Sequence, residues 1–203
     1  MARLRAGERE VVRRRLLEAA ARRFAELGVD GAGVDAISVA AGFAKGTIYN
    51  YFASKEDLLD AVLEDAARRV AERFASSDDP GRDTRSRLAA LARADVAELR
   101  EHEGFFKVVV REALTFRPSR HARLTAHLAP FVAAVERVLA SGMTRGEVGR
   151  ERPASELALL FTGLLALLYG QRWASEGVSP ALEDIPTLAT DLFLDGARGR
   201  GAR

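Results

Sequence analysis

The chain has 203 residues with a formal net charge of +2, and 48% of its residues are hydrophobic and 30% charged. This composition predicts a soluble globular protein with one large core or two small ones, and any affinity for nucleic acid must come from where the charges are placed. There is no cysteine, which excludes disulfides, thiolate nucleophiles and cysteine-bound metals and is typical of proteins in a reducing cytoplasm.

Neither a signal peptide nor a membrane span is predicted. The first residues alternate Arg3, Arg5 and Arg9 with glutamates and lead into no apolar run, unlike a signal peptide. The longest apolar stretch, residues 157–169, has 13 residues, and a membrane-spanning helix needs roughly 20. We therefore expect a cytoplasmic protein without membrane contact, in which residues 157–169 form a buried helix.

Apolar residues recur every three or four positions through most of the chain, which predicts α-helices. Gly28 and Gly42 end the first two helices. Ser54 and Asp57, three residues apart, resemble a capping box that opens the fourth. The predicted helices cover residues 12–27, 34–41, 44–51, 54–74, 84–102, 105–116, 119–141, 154–175 and 186–196.

Two of these helices contain residues that disfavour a helix. Residues 108–110 are three consecutive valines, which also suit a β-strand. Pro130 must either start a helix or kink one, because proline lacks the backbone N–H of a helix interior.

The three short helices at the N-terminus, with the second and third joined by a glycine-containing turn, predict a helix-turn-helix, whose second member enters the major groove of DNA. In the third helix Ile48 and Phe52 share one face, so the polar residues are free to face solvent or a groove. Gly46 lets the backbone approach closely. The polar residues of this helix are Lys45, Thr47, Tyr49, Asn50 and Tyr51.

The side-chain chemistry divides these candidates by role. Lys45 and Thr47 suit contacts to base edges, and Tyr49 suits either bases or phosphates. Tyr51 and Lys55 suit phosphates, since Lys55 stands at the start of a helix, where free N–H groups and the dipole also favour an anion. The alternative is an ordinary solvated helix surface.

The first 60 or so residues resemble the DNA-binding domain of the TetR family of transcriptional regulators. The resemblance is carried by "LLEAAARRFAELG" and by "VDAISVAAGFAKGTIYNYFASKEDLL". It implies an all-α protein, with a helix-turn-helix DNA-binding domain at residues 1–56 and a helical ligand-binding and dimerisation domain at residues 57–203. Beyond the first domain only the chain length, the helical pattern and a "TRGEVGRE" loop before a very apolar helix match.

Several positions depart from the family pattern. Ala32 and Gly33 stand where the family has a Ser or Thr that caps the second helix and touches phosphate, Asp35 replaces a frequent Arg, and Ala44 replaces a capping Ser. The second helix should therefore contribute little to DNA affinity, and arginines of the first helix would compensate. The arginines considered for phosphate contact, with a solvated face as the alternative, are Arg3, Arg5 and Arg9.

The resemblance further implies a homodimer that binds a palindromic double-stranded operator and answers to a small-molecule effector. The helix at residues 154–175 is apolar almost all round, so we expect it to be covered by a second subunit together with the last helix. The predicted interface residues are Leu160, Leu164, Leu168, Leu188 and Leu192.

A mainly apolar effector with a few polar anchors would lie among the middle helices, although filling of the core is the alternative for each aromatic residue. Phe116 is a further aromatic candidate for the same cavity. The predicted effector-binding residues are Phe105, Phe106, Arg111, His121, Phe131, Phe161 and Trp173.

Catalysis is not predicted. There is no nucleophile beside a base, no phosphate-binding glycine loop and no histidine spacing that suits a metal, so neither cofactor nor metal is expected. The sequence therefore predicts a ligand-responsive regulator, most simply a repressor that its effector releases from DNA. Two alternatives stay open: a C-terminal domain that binds a protein partner, and a helical enzyme or carrier with vestigial N-terminal helices.

Overall fold

The computed structural model describes residues 6–115 and 118–195, and these residues form eight α-helices and one 3₁₀ helix without a strand. The predicted all-α class is confirmed. The elements are α1 Ala6–Gly31, α2 Val34–Ala40, the 3₁₀ helix Thr47–Asn50, α3 Lys55–Ser77, α4 Thr84–Glu101, α5 Glu103–Ala113, α6 Pro118–Arg145, α7 Ala154–Ala174 and α8 Ile185–Asp195.

Glycine and a capping pair set the predicted breaks near the N-terminus. Gly28 interrupts α1 with a left-handed backbone (φ 72°), and Gly42 follows α2 with φ 85°. The Ser54 hydroxyl accepts the N–H of Asp57 at 3.0 Å, while the Asp57 carboxylate accepts the N–H of Ala53 at 2.9 Å. The predicted cap at the start of α3 is therefore confirmed.

The two doubtful segments are helical. Residues 108–110 lie inside α5, where Val108 and Val110 are buried together with Phe105 and Phe106. Burial of one helical face thus outweighs the β-propensity of the three valines. Pro130 lies in the interior of α6, which continues on both sides of it, so no helix begins there.

The chain forms two compact units, and the first contains the described residues of Met1–Ala66 and His102–His127. In this unit α1 packs against α5. Gly104 permits a close approach, because a β-carbon there would lie 3.4 Å from the backbone nitrogen of Arg22. Its core includes Leu16, Phe24 and Ile48, all fully buried.

The second unit contains the described residues of Ala67–Glu101 and Leu128–Arg203, and in it α8 packs against α4 and α7. Phe161 of α7 is fully buried and meets Phe193 of α8 edge to face, with the ring centroids 5.2 Å apart. The predicted domain boundary after residue 56 lies near the start of α3. The boundary between the two compact units lies further along the same helix, after Ala66.

The "TRGEVGRE" segment at the end of α6 connects that end of the helix to the start of α4. The Glu147 carboxylate accepts the backbone N–H and the hydroxyl of Thr84, both at 2.7 Å, and so caps the N-terminus of α4. Its bonds with Arg145 and Thr84 lower the pKa of Glu147 to about 2. Gly142 leaves the room that this contact needs, since a β-carbon there would lie 2.1 Å from the Thr84 hydroxyl oxygen.

Residues 157–169 form a helix as predicted, and the chain by itself buries only part of it. They belong to α7, which has 21 residues and is long and apolar enough, by length and composition alone, to cross a membrane. Only 22% of its apolar window is buried within the chain. Leu159, Leu160 and Leu167 are more than half exposed within the chain, and their cover by a second subunit stays a prediction.

Candidate nucleic-acid interface

The segment between α2 and α3 differs from the predicted α-helix at residues 44–51. Only Thr47–Asn50 is helical, and it is a single 3₁₀ turn. The N–H of Tyr49 bonds to the carbonyl of Gly46 at 3.1 Å, and that of Tyr51 bonds to Ile48 at 3.0 Å. The physical reason is Gly46, whose left-handed φ of 79° prevents a regular helix from beginning at Ala44. Below, Thr47–Asn50 together with the flanking residues Lys45, Gly46 and Tyr51 is called the 3₁₀ turn.

The 3₁₀ turn nevertheless separates apolar from polar side chains as predicted. Ile48 is fully buried and Phe52 is 4% exposed, so these two anchor the turn to the core. Lys45 and Asn50 are exposed, Tyr49 is 56% exposed, and Thr47 and Tyr51 are half-buried. The arrangement presents an ammonium, an amide, a hydroxyl and two phenols on the surface. Their contacts with DNA stay a prediction.

Gly46 is required because of its backbone conformation. It is not required because a side chain would lack space within the protein. A β-carbon at this position would have no atom within 4 Å. Any other residue would still pay the cost of the left-handed conformation. The open surface in front of Gly46 is what a close approach to DNA would need.

Ser38 is a residue of this site that sequence reasoning missed. It is fully buried in α2, and its hydroxyl donates a 2.7 Å hydrogen bond to the carbonyl of Ala44, just before the 3₁₀ turn. The carbonyl of Ser38 also accepts the N–H of Phe43 at 3.0 Å. The available signal was a small polar residue beside Ile37 on the buried stripe of a short helix, where an internal bond is the usual explanation.

Arginines of α1 stand over aromatic rings at both ends of the 3₁₀ turn. The guanidinium carbon of Arg9 lies 5.7 Å from the centre of the Tyr51 ring. That of Arg15 lies 5.1 Å from the Phe43 ring. These stacks hold two exposed cations beside the turn. Arg9 therefore lies where phosphate contact was predicted, whereas Arg3 and Arg5 lie outside the described residues.

The start of α2 has the two features that the sequence predicts would weaken its contribution to DNA binding. Gly33 occupies the N-cap position and provides no side-chain cap, and Asp35 is exposed in the first turn. An exposed carboxylate repels a phosphate backbone. The basic groups beside the 3₁₀ turn thus come from α1 and from Lys45.

Lys55 is placed differently from the expectation for a phosphate ligand. Its ammonium group donates to the carbonyls of Val29 at 3.0 Å and of Asp30 at 3.1 Å, at the end of α1. Two of its three N–H donors are therefore used inside the protein. Contact of Lys55 with phosphate stays an untested prediction, and the alternative that these two bonds favour is a structural role at the end of α1.

The predicted effector-binding residues are divided between the two units. In the first unit Phe105 and Phe106 are buried, Arg111 donates to the carbonyl of Ala25 at 3.0 Å, and His121 is exposed. In the second unit the core includes the remaining aromatic candidates. Phe131 and Phe161 are buried, and half-buried Trp173 lies beside Tyr169 with ring centroids 6.3 Å apart.

Clefts in the second unit are lined by other residues. One, of about 330 Å³, lies between residues 147–152, α7 and the end of α8. Another, of about 210 Å³, lies between α4 and α8 and is lined by three arginines and two threonines. Neither contains a predicted effector residue, and Phe116 lies outside the described residues. Binding of an effector by the predicted residues stays a prediction.

The predicted dimer residues differ in how much surface they offer. Leu160 and Leu192 are 55% and 40% exposed. Leu164 and Leu188 are half-buried. Leu168 is buried within its own chain at 9% exposure, so it has little surface for a second subunit. The exposed part of this apolar face is contributed by Leu159, Leu160, Leu167 and Leu192.

Comparison with known proteins agrees with this geometry. Residues 16–62 match the sequence model described as "Bacterial regulatory proteins, tetR family". The chain is 28% identical over 170 residues to the HTH-type transcriptional regulator SrpR of Pseudomonas putida, covering 83% of this chain and 79% of that protein. It is 28% identical over 180 residues to the HTH-type transcriptional repressor AcnR of Corynebacterium efficiens, covering 86% and 90%.

Solved structures share the fold over nearly the whole chain. The fatty acid degradation regulator FadR of Bacillus halodurans superposes with a TM-score of 0.83 at 22% identity, covering 93% of this chain and 97% of that one. FadR of Bacillus subtilis, solved in complex with stearoyl-CoA, gives 0.81 at 19% identity, covering 91% and 99%.

Proposed function

Because residues 16–62 match the sequence model of the tetR family of bacterial regulatory proteins, we propose that the chain belongs to this family and is a sequence-specific transcriptional repressor, and not an enzyme, that acts in the cytoplasm. One observation carries the proposal. Buried Ile48 and Phe52 hold a short turn whose exposed side chains are of the types that can contact base edges and phosphates. The 3₁₀ turn would enter the major groove, with residues 1–56 acting as the DNA-binding domain.

Selection of bound duplexes from random double-stranded DNA tests this function. We expect an inverted repeat, because a two-fold dimer presents its two turns about 34 Å apart, one helical repeat of DNA. Enrichment of no sequence, or of a single unpaired half-site, would contradict the proposal.

The roles within the turn are tested on the selected operator. Lys45→Ala and Tyr49→Ala should weaken operator binding more than binding to random DNA, because they remove base contacts. Lys107→Ala is the matched control, since Lys107 lies on α5 and forms an i,i+4 pair with Glu103 at 3.2 Å. Equal losses on operator and random DNA for Lys45→Ala would show that Lys45 contacts phosphate instead.

We further propose that α7 and α8 form the interface of a homodimer. The support is the apolar face that α7 exposes, on which Leu160 and Leu167 lie two helical turns apart and are both more than half exposed. A second copy suits it, because a palindromic operator requires a two-fold partner and helix pairs of this kind pack as four-helix bundles.

Sedimentation velocity tests this interface with Leu160→Asp and Leu167→Asp. Both should give monomers, whereas Leu114→Asp, a charge placed on a 66% exposed leucine of the other unit, should leave a dimer. Dimers in all three variants would refute the interface. Flotation of the wild-type protein with lipid vesicles would instead assign the apolar face to a membrane.

An effector would act by shifting the population between two spacings of the 3₁₀ turns, so that operator affinity falls by the ratio of its affinities for the two states. Residues 57–203 would bind this ligand, which we propose to be small and mainly apolar because aromatic and aliphatic residues dominate the second unit's core. Release of the operator by members of a panel of apolar acids, followed in a gel shift, tests this step. Release by a protein and by none of the small molecules would favour a protein partner.

A further inference from the structure

Three cations converge on the C-terminal end of α1, and each comes from a different helix. Arg111 of α5 donates to the carbonyl of Ala25 at 3.0 Å, and its guanidinium covers Gly28, where a β-carbon would lie 3.2 Å from it. Lys55 of α3 donates to the carbonyls of Val29 and Asp30. Unpaired carbonyls and the negative end of the helix dipole attract cations to such a site.

Arg120, in the first turn of α6, completes this junction through a side chain. Its guanidinium forms a two-pronged pair with the carboxylate of Asp30 and lies 3.8 Å from that of Glu112. The Arg120 side chain is 16% exposed, that of Glu112 4% and that of Asp30 57%, so solvent screens the pair with Asp30 more than the contact with Glu112. The hydrogen bond with Asp30 raises the pKa of Arg120, which stays charged.

The junction reaches both supports of the 3₁₀ turn. Asp30 lies in the short segment that leads from Gly28 into α2, and Lys55 is the first residue of α3, five positions after Asn50. Asp30 binds Arg120 through its carboxylate and Lys55 through its carbonyl. A continuous set of contacts therefore connects the first turn of α6 to the helices on either side of the turn.

A second contact between α6 and α3 strengthens this connection. Asp60 of α3 accepts a bond from Arg123 at 2.5 Å and lies 3.3 Å from the ring nitrogen of His127. The first ten residues of α6 thus bind both α3 and the end of α1. A rotation of α2 and α3 relative to α6 would break several charged contacts at once.

We propose that Arg120 is a positioning residue for DNA binding, which fixes the 3₁₀ turn in its operator-reading orientation through Asp30 and Lys55. The inference rests on the proposed function. Arg120 is only 16% exposed and its guanidinium is paired with Asp30, so we expect its effect to pass through the orientation of α2 and α3. Misorientation should weaken base contacts, which depend on geometry, more than non-specific phosphate contacts, which tolerate it.

The two partners of the pair have opposite charges, and this gives a sharp test. If the groups acted on DNA only as charges, Asp30→Ala would strengthen binding and Arg120→Ala would weaken it. If they act by positioning, each substitution should lower the ratio of operator to random-DNA affinity by about tenfold.

The experiment compares these variants on the selected operator and on random duplex of equal length, at one salt concentration and with folding checked by circular dichroism. Arg23→Ala is the matched control, because the 3.6 Å pair that Arg23 forms with Glu26 lies within α1. Arg120→Lys keeps the charge but loses the two-pronged geometry, and should give an intermediate loss even if Arg120→Ala folds poorly.

The inference would be overturned if Asp30→Ala and Arg120→Lys left the ratio of operator to random-DNA affinity unchanged. It would also be overturned if Asp30→Ala strengthened DNA binding while Arg120→Ala weakened it. These results differ from a failure of the proposed function. In that case the wild-type protein would itself show no preference for any DNA sequence.

Discussion

Asp95 is buried in α4 at 6% exposure, and its carboxylate accepts a 2.6 Å hydrogen bond from the hydroxyl of Tyr169 on α7. Burial raises the pKa of Asp95 from an ordinary value near 3.8 to about 7, and the neighbouring charge of Glu98 acts in the same direction. The folded protein therefore prefers the protonated acid. Removal of the charge by Asp95→Asn should stabilise the second unit at neutral pH.

The sign follows from comparing the two states. Below pH 4 Asp95 is protonated in both the folded and unfolded chains, so its stabilising contribution is fully present there. Between pH 4 and 7 the unfolded chain releases the proton and the folded one keeps it, so stability falls as pH rises. A shift of roughly three pKa units corresponds to about 4 kcal/mol of unfolding free energy lost across this window. The amide of Asn can still accept the Tyr169 hydrogen.

The assay is urea unfolding at several pH values, followed by fluorescence of the single tryptophan, Trp173, which lies beside Tyr169 in this unit. Asp95→Asn should match the wild type near pH 4 and exceed it at pH 8 by up to about 4 kcal/mol. Exposed Asp35→Asn, in the other unit, controls for the loss of one negative charge. Parallel stability curves for wild type and Asp95→Asn from pH 4 to 8 would refute the reasoning.

Three further substitutions test the backbone and the α4 cap. Gly46→Ala should lower both the melting temperature and operator affinity, since its φ of 79° costs an L-residue about 1–2 kcal/mol. Gly142→Ala should destabilise by about 1–3 kcal/mol in urea unfolding, because the new carbon collides with Thr84. Glu147 has a lowered pKa, so its stabilising effect is lost as pH falls from its ordinary value near 4.5 through about 2, and Glu147→Gln should flatten acid unfolding there.

The sequence predicted most of the helices because their ends carry local signals. Gly28, Gly42 and the pair formed by Ser54 and Asp57 all act within a few residues of the chain, and the structure confirms each. The polar face of the 3₁₀ turn was predicted for the same reason, since buried Ile48 fixes which side chains face outward.

Properties that depend on distant parts of the chain were not predicted. Nothing near Lys55 or Arg111 in sequence indicates that each binds a carbonyl of α1, which is 26 and 86 residues away respectively. Likewise the spacing of apolar residues along α7 predicts that this helix is covered. The same spacing would occur whether the chain's own core or another molecule covers it. The 3₁₀ turn was predicted as a longer helix because Gly46 was interpreted as a close-contact residue and not as a left-handed one.

Lys55→Ala distinguishes a structural lysine from a phosphate ligand. Because its ammonium already binds the carbonyls of Val29 and Asp30, we expect the variant to lower operator affinity without changing the dependence of affinity on salt. Loss of a phosphate contact would instead reduce the slope of log affinity against log salt by about one. Arg9→Ala serves as the positive control, since the exposed guanidinium of Arg9 stacks on Tyr51 and should reduce that slope. A reduced slope for Lys55→Ala would show that the ammonium leaves α1 for DNA, and the connection from Arg120 to α3 would then be broken in the bound state.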